Sequence, residues 1–124
     1  MNLEQKNAVT ATTQDVLTHH LHSFGNLTAT MADYTAESRI FTPDGLLRGP
    51  EAIRRGFAKL FEEFAKPGMS FEMLRQEVDG DTAYIVWKAV SADNRFELGT
   101  DTFIVQNGKI VTQTFFAGKI SPKQ

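Results

Sequence analysis

Thr82-Ala83-Tyr84-Ile85-Val86-Trp87-Lys88-Ala89-Val90-Ser91 is the stretch on which the fold turns. Alternation places Ala83, Ile85, Trp87 and Ala89 on one face of a strand and Tyr84, Val86, Lys88 and Val90 on the other. Turn chemistry brackets it: Asp79-Gly80-Asp81 before and Ala92-Asp93-Asn94 after. The neighbouring strands are Met69 to Val78 and Phe96 to Val105, and the hairpin dipeptide Asn107-Gly108 leads into a last strand, Ile110 to Ala117. Four strands joined in this way form an antiparallel meander. Both faces of the stretch 82–91 are mostly apolar, whereas a sheet wetted on one side shows polar residues there. Helices in so short a chain cover only one face. The other is expected to meet a second copy, making a homodimer.

Before the meander the period becomes helical, so the fold class is α+β. Val9, Val16, Leu17, Leu21 and Phe24 recur at helical spacing with His20 on the same stripe; Thr12 or Thr13 caps this helix and Gly25-Asn26 stops it. Leu27, Met31 and Tyr34 predict a second, short helix from Leu27 to about Tyr34. Arg39 to Thr42 reads as a brief strand closed by Thr42-Pro43-Asp44-Gly45, with Leu46-Leu47-Arg48 as another. Pro50 and Glu51 open a third helix with Ile53, Phe57, Leu60, Phe61 and Phe64 on its apolar face, ended by Lys66-Pro67-Gly68. Residues 1–7 and 119–124 are expected to fray, and the 124 residues make one domain.

Composition removes several function classes. Hydrophobic residues at 41% and charged residues at 23% exclude disordered and low-complexity chains. A net charge of −2 with no block of one sign disfavours nucleic-acid binding. The absence of cysteine removes disulfides, thiolate metal sites and a cysteine nucleophile. Residues Met1 to Asn7 show no basic region followed by an apolar run, and no stretch has the roughly 18 apolar residues of a membrane span. A cytoplasmic location is expected, without a membrane partner.

Few residues stand out chemically. In His19-His20-x-His22, adjacent helical residues point about 100° apart, and only His19 and His22 share a face. No nearby acid completes a metal site. His20, turned inward, reads first as a hydrogen-bonded core residue. Gly45 to Gly49 lacks the Lys-Ser/Thr of a phosphate loop, and no Gly-x-Ser-x-Gly elbow occurs. Asp101 is more informative. It sits mid-strand in Gly99-Thr100-Asp101-Thr102-Phe103-Ile104-Val105, on the face of Phe103 and Val105, where a buried acid needs a partner or a proton. Two explanations stay open: an ion pair with inward-facing Lys88, or a carboxylic acid with raised pKa that donates a hydrogen bond to a ligand oxygen.

Three stretches carry a family resemblance: His20-Leu21-His22-Ser23-Phe24; Met31-Ala32-Asp33-Tyr34-Thr35-Ala36-Glu37-Ser38 running into Thr42-Pro43-Asp44-Gly45; and Leu47-Arg48-Gly49-Pro50-Glu51-Ala52-Ile53 leading to Phe57. With Asn107-Gly108-Lys109-Ile110, they resemble the nuclear transport factor 2-like superfamily, in its SnoaL-like and ketosteroid-isomerase-like bacterial branch, over roughly Val9 to Gly118. The resemblance implies a cone-shaped barrel: a strongly curved antiparallel sheet wrapped around about three helices, with an apolar pocket open at one end. Members commonly dimerise through the outer sheet face. They include isomerases, dehydratases, epoxide hydrolases, polyketide cyclases and binding domains, so the fold alone does not name the activity.

Residue by residue, the base Asp of ketosteroid isomerases falls on Thr42, which cannot act as a carboxylate. Classical steroid isomerase activity is therefore not expected. The oxyanion-hole Tyr falls on His20, the protonated Asp on Asp101, and the pocket tyrosines on Tyr34 and Phe57. The candidate catalytic residues are His20, Asp101 and Tyr34. Phe24, Thr42, Phe57, Phe61, Phe103, Gln113 and Phe115 are the candidate substrate-binding residues, with no metal and no cofactor expected.

The expected function is binding of a small hydrophobic ligand, extending to a cofactor-free isomerase, cyclase or dehydratase for a small hydrophobic carbonyl compound. Asp101 would orient or protonate the carbonyl while His20 moves a proton. The alternative is a non-catalytic ligand-binding or dimeric scaffold protein whose pocket is filled by its own 10 Phe side chains. A filled pocket would leave no continuous cavity of even roughly 300 Å³, the lower end of ligand sites.

Overall fold

The computed structural model describes residues 11–123. In chain order these form α1 (Thr13–His22), α2 (Leu27–Met31), β1 (Tyr34–Thr42), β2 (Gly45–Arg48), α3 (Gly49–Glu63), β3 (Ser70–Asp79), β4 (Thr82–Val90), β5 (Asn94–Gln106) and β6 (Lys109–Pro122). Thr12 caps α1: its hydroxyl accepts from the Asp15 amide while the Asp15 carboxylate accepts from the Thr12 amide, a complete capping box. Val16 and Leu17 are buried as the stripe requires. Val9 and the N-terminal residues expected to fray lie outside the described residues.

The second helix is shorter than its three apolar residues suggest. Asn26 caps it, but it ends at Met31, and Tyr34 opens β1 instead. The reason is a competing partner: the Asp33 carbonyl accepts from the Ile110 amide, which pulls the chain into the sheet. In α3, Ile53 and Phe57 are buried, and Leu60, Phe61 and Phe64 pack against the same core.

The six strands form one sheet in the order β2-β1-β6-β5-β4-β3. The meander β3 to β6 is antiparallel throughout, as alternation and turns predict. The β1–β6 pairing is parallel, which the sequence reading did not contain. Alternation reports which face a strand buries and carries no information on the direction of a distant neighbour. Register shifts between Met73 and Arg75, Trp87 and Ala89, and Ile104 and Val105 mark bulges, which bend the strands around the helices. The sheet stays open, with β2 and β3 as free edges. At the C-terminus, residues 120–122 are paired rather than frayed: Phe96, Arg95 and Asn94 oppose Ile120, Ser121 and Pro122.

One buried hydroxyl closes the parallel seam. Ser38 is fully buried; its Oγ donates to the Ile110 carbonyl (2.6 Å) and accepts from the Thr35 amide (2.8 Å). Both bonds lie where the β1–β6 register shifts between Tyr34 and Arg39. Ser38→Ala leaves these groups unpaired and is expected to lower unfolding free energy by about 1–3 kcal/mol, read as a lower urea midpoint. An unchanged midpoint would contradict that role. Among the described residues no helix is long and apolar enough to cross a membrane.

Candidate functional site

The inner face of the sheet, α1 and α3 enclose a cavity of about 380 Å³. Its walls are apolar: Phe24, Phe57, Phe103 and Phe115 of the expected set, joined by Leu21, Phe64, Met73, Ile85 and Trp87. The phenylalanines line this space without filling it. Phe24, Met69 and Phe71 are each more than a third exposed and form an apolar rim.

Among the described residues, two ionisable side chains reach the cavity, Asp101 and His20. Asp101 is 6% exposed. The Trp87 indole Nε1 donates to its Oδ1 (2.8 Å), and the Gln113 Nε2 donates to its Oδ2 (3.0 Å). Behind them the Tyr34 hydroxyl donates to the Gln113 Oε1. Burial pushes the Asp101 carboxyl up to about 6, against the opposing pull of the Trp87 bond, the charge His20 can carry and the Gln113 bond. Tyr34 is held well above its ordinary value by burial and then by the nearby Asp101 and Asp33, so its phenol remains a donor.

Of the two explanations for Asp101, the ion pair with Lys88 does not form. Lys88 stands on the outer face with Tyr84 and Val86, 3.6 Å from Glu72. Strand parity explains this: the face that buries Trp87 turns Lys88 away, leaving Asp101 to neutral N–H donors.

His20 stands edge-on to Tyr34, Phe57 and Phe103, with ring centroids 6.1, 5.8 and 5.2 Å away. Its Nδ1 faces Asp33 Oδ2 at 3.5 Å, and Asp33 Oδ1 lies 2.6 Å from His19 Nδ1. The sequence reading found no acid near these histidines and missed Asp33. Its place depends on the chain folding back after α2, and the only local signal was an acid between apolar neighbours at the helix end. Among the described residues, no group of three His, Cys, Asp or Glu side chains is arranged to hold a metal ion.

The remaining candidates divide. Tyr34 and Gln113 stand behind Asp101 rather than on the cavity wall. Phe61 supports the wall, packing on Phe24 and Phe57 at 4.9 and 5.7 Å. Thr42 is not brought to the site. Its hydroxyl donates to the Gly45 carbonyl and accepts from the Asp44 amide in the β1–β2 turn. Trp87 was given no role, because the sequence reading took the Lys88 face of this strand as the inner one and the structure buries the Trp87 face instead; the glycine opposite it on β5, Gly99, is the signal that could have found it.

A family model for the SnoaL-like domain matches residues 11–113. The chain belongs to the SnoaL-like family. This places it in the nuclear transport factor 2-like superfamily. Solved structures similar to this SnoaL-like domain include a protein from Kribbella flavida provisionally named a ketosteroid isomerase. It is 17% identical, covers 93% of this chain and 85% of its own, and has a TM-score of 0.71. A protein from Sinorhizobium meliloti provisionally named a polyketide cyclase is 18% identical over 82% of this chain and 93% of its own, with a TM-score of 0.68. An NTF2-like protein of unknown function from Mesorhizobium loti reaches 22% identity over 85% and 89%, with a TM-score of 0.69. At these identities the likeness is one of fold. No curated protein sequence matches the SnoaL-like chain.

Proposed function

We propose that the cavity binds a small hydrophobic carbonyl compound and acts on it by acid/base chemistry without a cofactor, as an isomerase, cyclase or dehydratase. The observation that carries this reading is a buried carboxyl aimed into an apolar cavity, its two oxygens held by the Trp87 and Gln113 N–H groups. Each oxygen keeps a free lone pair, so a protonated Asp101 donates its O–H to the carbonyl oxygen. His20 Nε2 takes the proton from the adjacent carbon and returns it elsewhere on the substrate. The cavity volume falls within the range of ligand sites and weighs against the Phe-filled scaffold alternative.

A thermal-shift screen against hydrophobic ring ketones tests this. A ligand at about 100 times its dissociation constant adds about 2.7 kcal/mol, several degrees of Tm for a domain of this size. Asp101→Leu is expected to abolish the shift, and His20→Ala to keep the shift while losing turnover. A saturable shift without turnover of any ketone would leave binding alone. No shift across the panel would sink the reading.

The outer sheet face supports a homodimer. Phe41, Leu46, Tyr84 and Phe116 are exposed there, with Thr100, Thr102 and Thr114 among them in the strand register. One row begins at the paired Arg48 and Arg39 on β2 and β1 and ends at Asp79 on β3. Among the described residues none of these three has an oppositely charged partner within 4 Å. A two-fold axis along the strands sets the arginine edge of one copy over the acidic edge of the other and buries the apolar rows. Sedimentation is expected to give a dimer that Phe116→Lys converts to monomer; a monomeric parent protein would contradict this.

A further inference from the structure

We infer that Asp33, outside the cavity, is a positioning residue that holds His20 as the Nδ1–H tautomer and leaves Nε2 bare towards the cavity. His19, in turn, holds Asp33. This rests on the proposed acid/base reading of the cavity, and its first test does not depend on that reading.

Four observations carry it. His20 Nδ1 and Asp33 Oδ2 are both buried, neither has a hydrogen-bond partner among the described residues, and they face each other at 3.5 Å. A buried donor and acceptor left apart cost free energy that a shift of a few tenths of an ångström recovers, so Nδ1 carries the proton and points it at the carboxylate. The ring is hemmed edge-on by Tyr34, Phe57 and Phe103, which keeps Nδ1 on the Asp33 side. Asp33 itself is anchored on both sides of its peptide: its amide donates to the Thr30 carbonyl (3.1 Å) and its carbonyl accepts from the Ile110 amide (2.8 Å). Finally, His19 Nδ1 sits 2.6 Å from Asp33 Oδ1, which turns the second oxygen to His20.

The chemical consequence is specific. A general base needs an unprotonated nitrogen at the substrate, and only one of the two neutral tautomers provides it at Nε2. When Nε2 takes a proton from the carbon beside the carbonyl, the C–H electron pair passes into the enolate, whose oxygen receives the Asp101 hydrogen bond. The imidazolium formed has the Asp33 carboxylate against its Nδ1–H, which stabilises that charge where no water reaches it. His20 on α1 and Asp33 at the α2–β1 junction are too far apart along the chain for spacing alone to hint at this.

Nitrogen-15 NMR on histidine-labelled protein, at about pH 8 where ordinary imidazoles are neutral, reads the tautomer directly. The expected spectrum shows His20 with Nδ1 protonated and Nε2 unprotonated. Asp33→Leu is expected to lose that preference and Asp33→Asn, whose amide oxygen still accepts, to retain it. An Nε2–H signal for His20 in the parent protein overturns the inference, and this arm needs no variant to fold.

The second arm uses 2-tetralone in D2O, following exchange of its α-protons with and without protein. Asp33→Leu is expected to slow exchange at least about tenfold, within the range general-base catalysis supplies, while the dissociation constant for 2-tetralone stays the same. Equal exchange rates in the two proteins overturn the positioning role. If the parent protein binds 2-tetralone without exchanging it, the catalytic reading of the cavity fails, and the spectrum alone then decides whether Asp33 sets the tautomer.

Discussion

Replacing Asp101 by Asn is expected to change the pH dependence of stability by about 3 kcal/mol, the equivalent of about two pKa units. The folded-state pKa of Asp101 is raised from 3.8 to about 6, so the native protein holds this proton more tightly than the unfolded chain does. Between those values the native state binds more protons, and unfolding free energy therefore falls as pH rises. The stabilising contribution is present below about pH 3.8 and is lost by the time pH exceeds about 6. The asparagine side chain carries no proton to lose, and its amide keeps an acceptor for Trp87. Its amide group faces Gln113, which can turn over because the Tyr34 hydroxyl also accepts. Urea titrations of both proteins at about pH 3.5 and about pH 7.5 measure the effect. The stability difference between variant and parent should move in favour of the Asp101→Asn variant at the higher pH. Parallel pH profiles would show that burial does not raise the Asp101 pKa in the folded protein and remove it as a proton donor at neutral pH.

Gly99→Ala is expected to be the most damaging single methyl group in the molecule. A Cβ on Gly99 would lie 2.2 Å from ring carbons of Trp87, its cross-strand partner. Atoms cannot approach so closely, so the indole must leave its place. That withdraws the Nε1 donor from Asp101 and disturbs the cavity wall at once. Overpacking and a lost charge-assisted hydrogen bond together amount to about 3 kcal/mol, a large fraction of the stability of a domain this size. Thermal unfolding with near-ultraviolet circular dichroism reads both consequences, since Trp87 is the only tryptophan. A variant with parental Tm and an unaltered tryptophan signal would contradict this account of the inner face.

The meander was legible because alternation and turn dipeptides are local. Ala83, Ile85, Trp87 and Ala89 share one face as their spacing requires, but which face is buried was not legible: Lys88 was read as inward, and the structure buries the Trp87 face. Asp101 was legible for a related reason: an acid on an apolar face stands out wherever the strand lies. What pairs with it was not legible. Lys88 is near in sequence register but one residue out of phase, and the true partners, Trp87 and Gln113, come from the strands on either side. Asp33 was invisible because its contact with His20 follows from a chain reversal held by the Ile110 amide, far along the sequence. Thr42 failed in the opposite way. Family superposition placed it at a catalytic position, while its hydroxyl is occupied within its own turn.

Trp87 also supplies the measurement that tests the central claim most directly. Its indole lines the cavity and donates to Asp101, so its emission reports occupancy of that cavity. Titrating the protein with small hydrophobic ring ketones should give a saturable change in emission. A parent protein whose tryptophan emission stays flat through the solubility limit of every ketone, with the fold intact, would contradict the claim that this cavity is a ligand site.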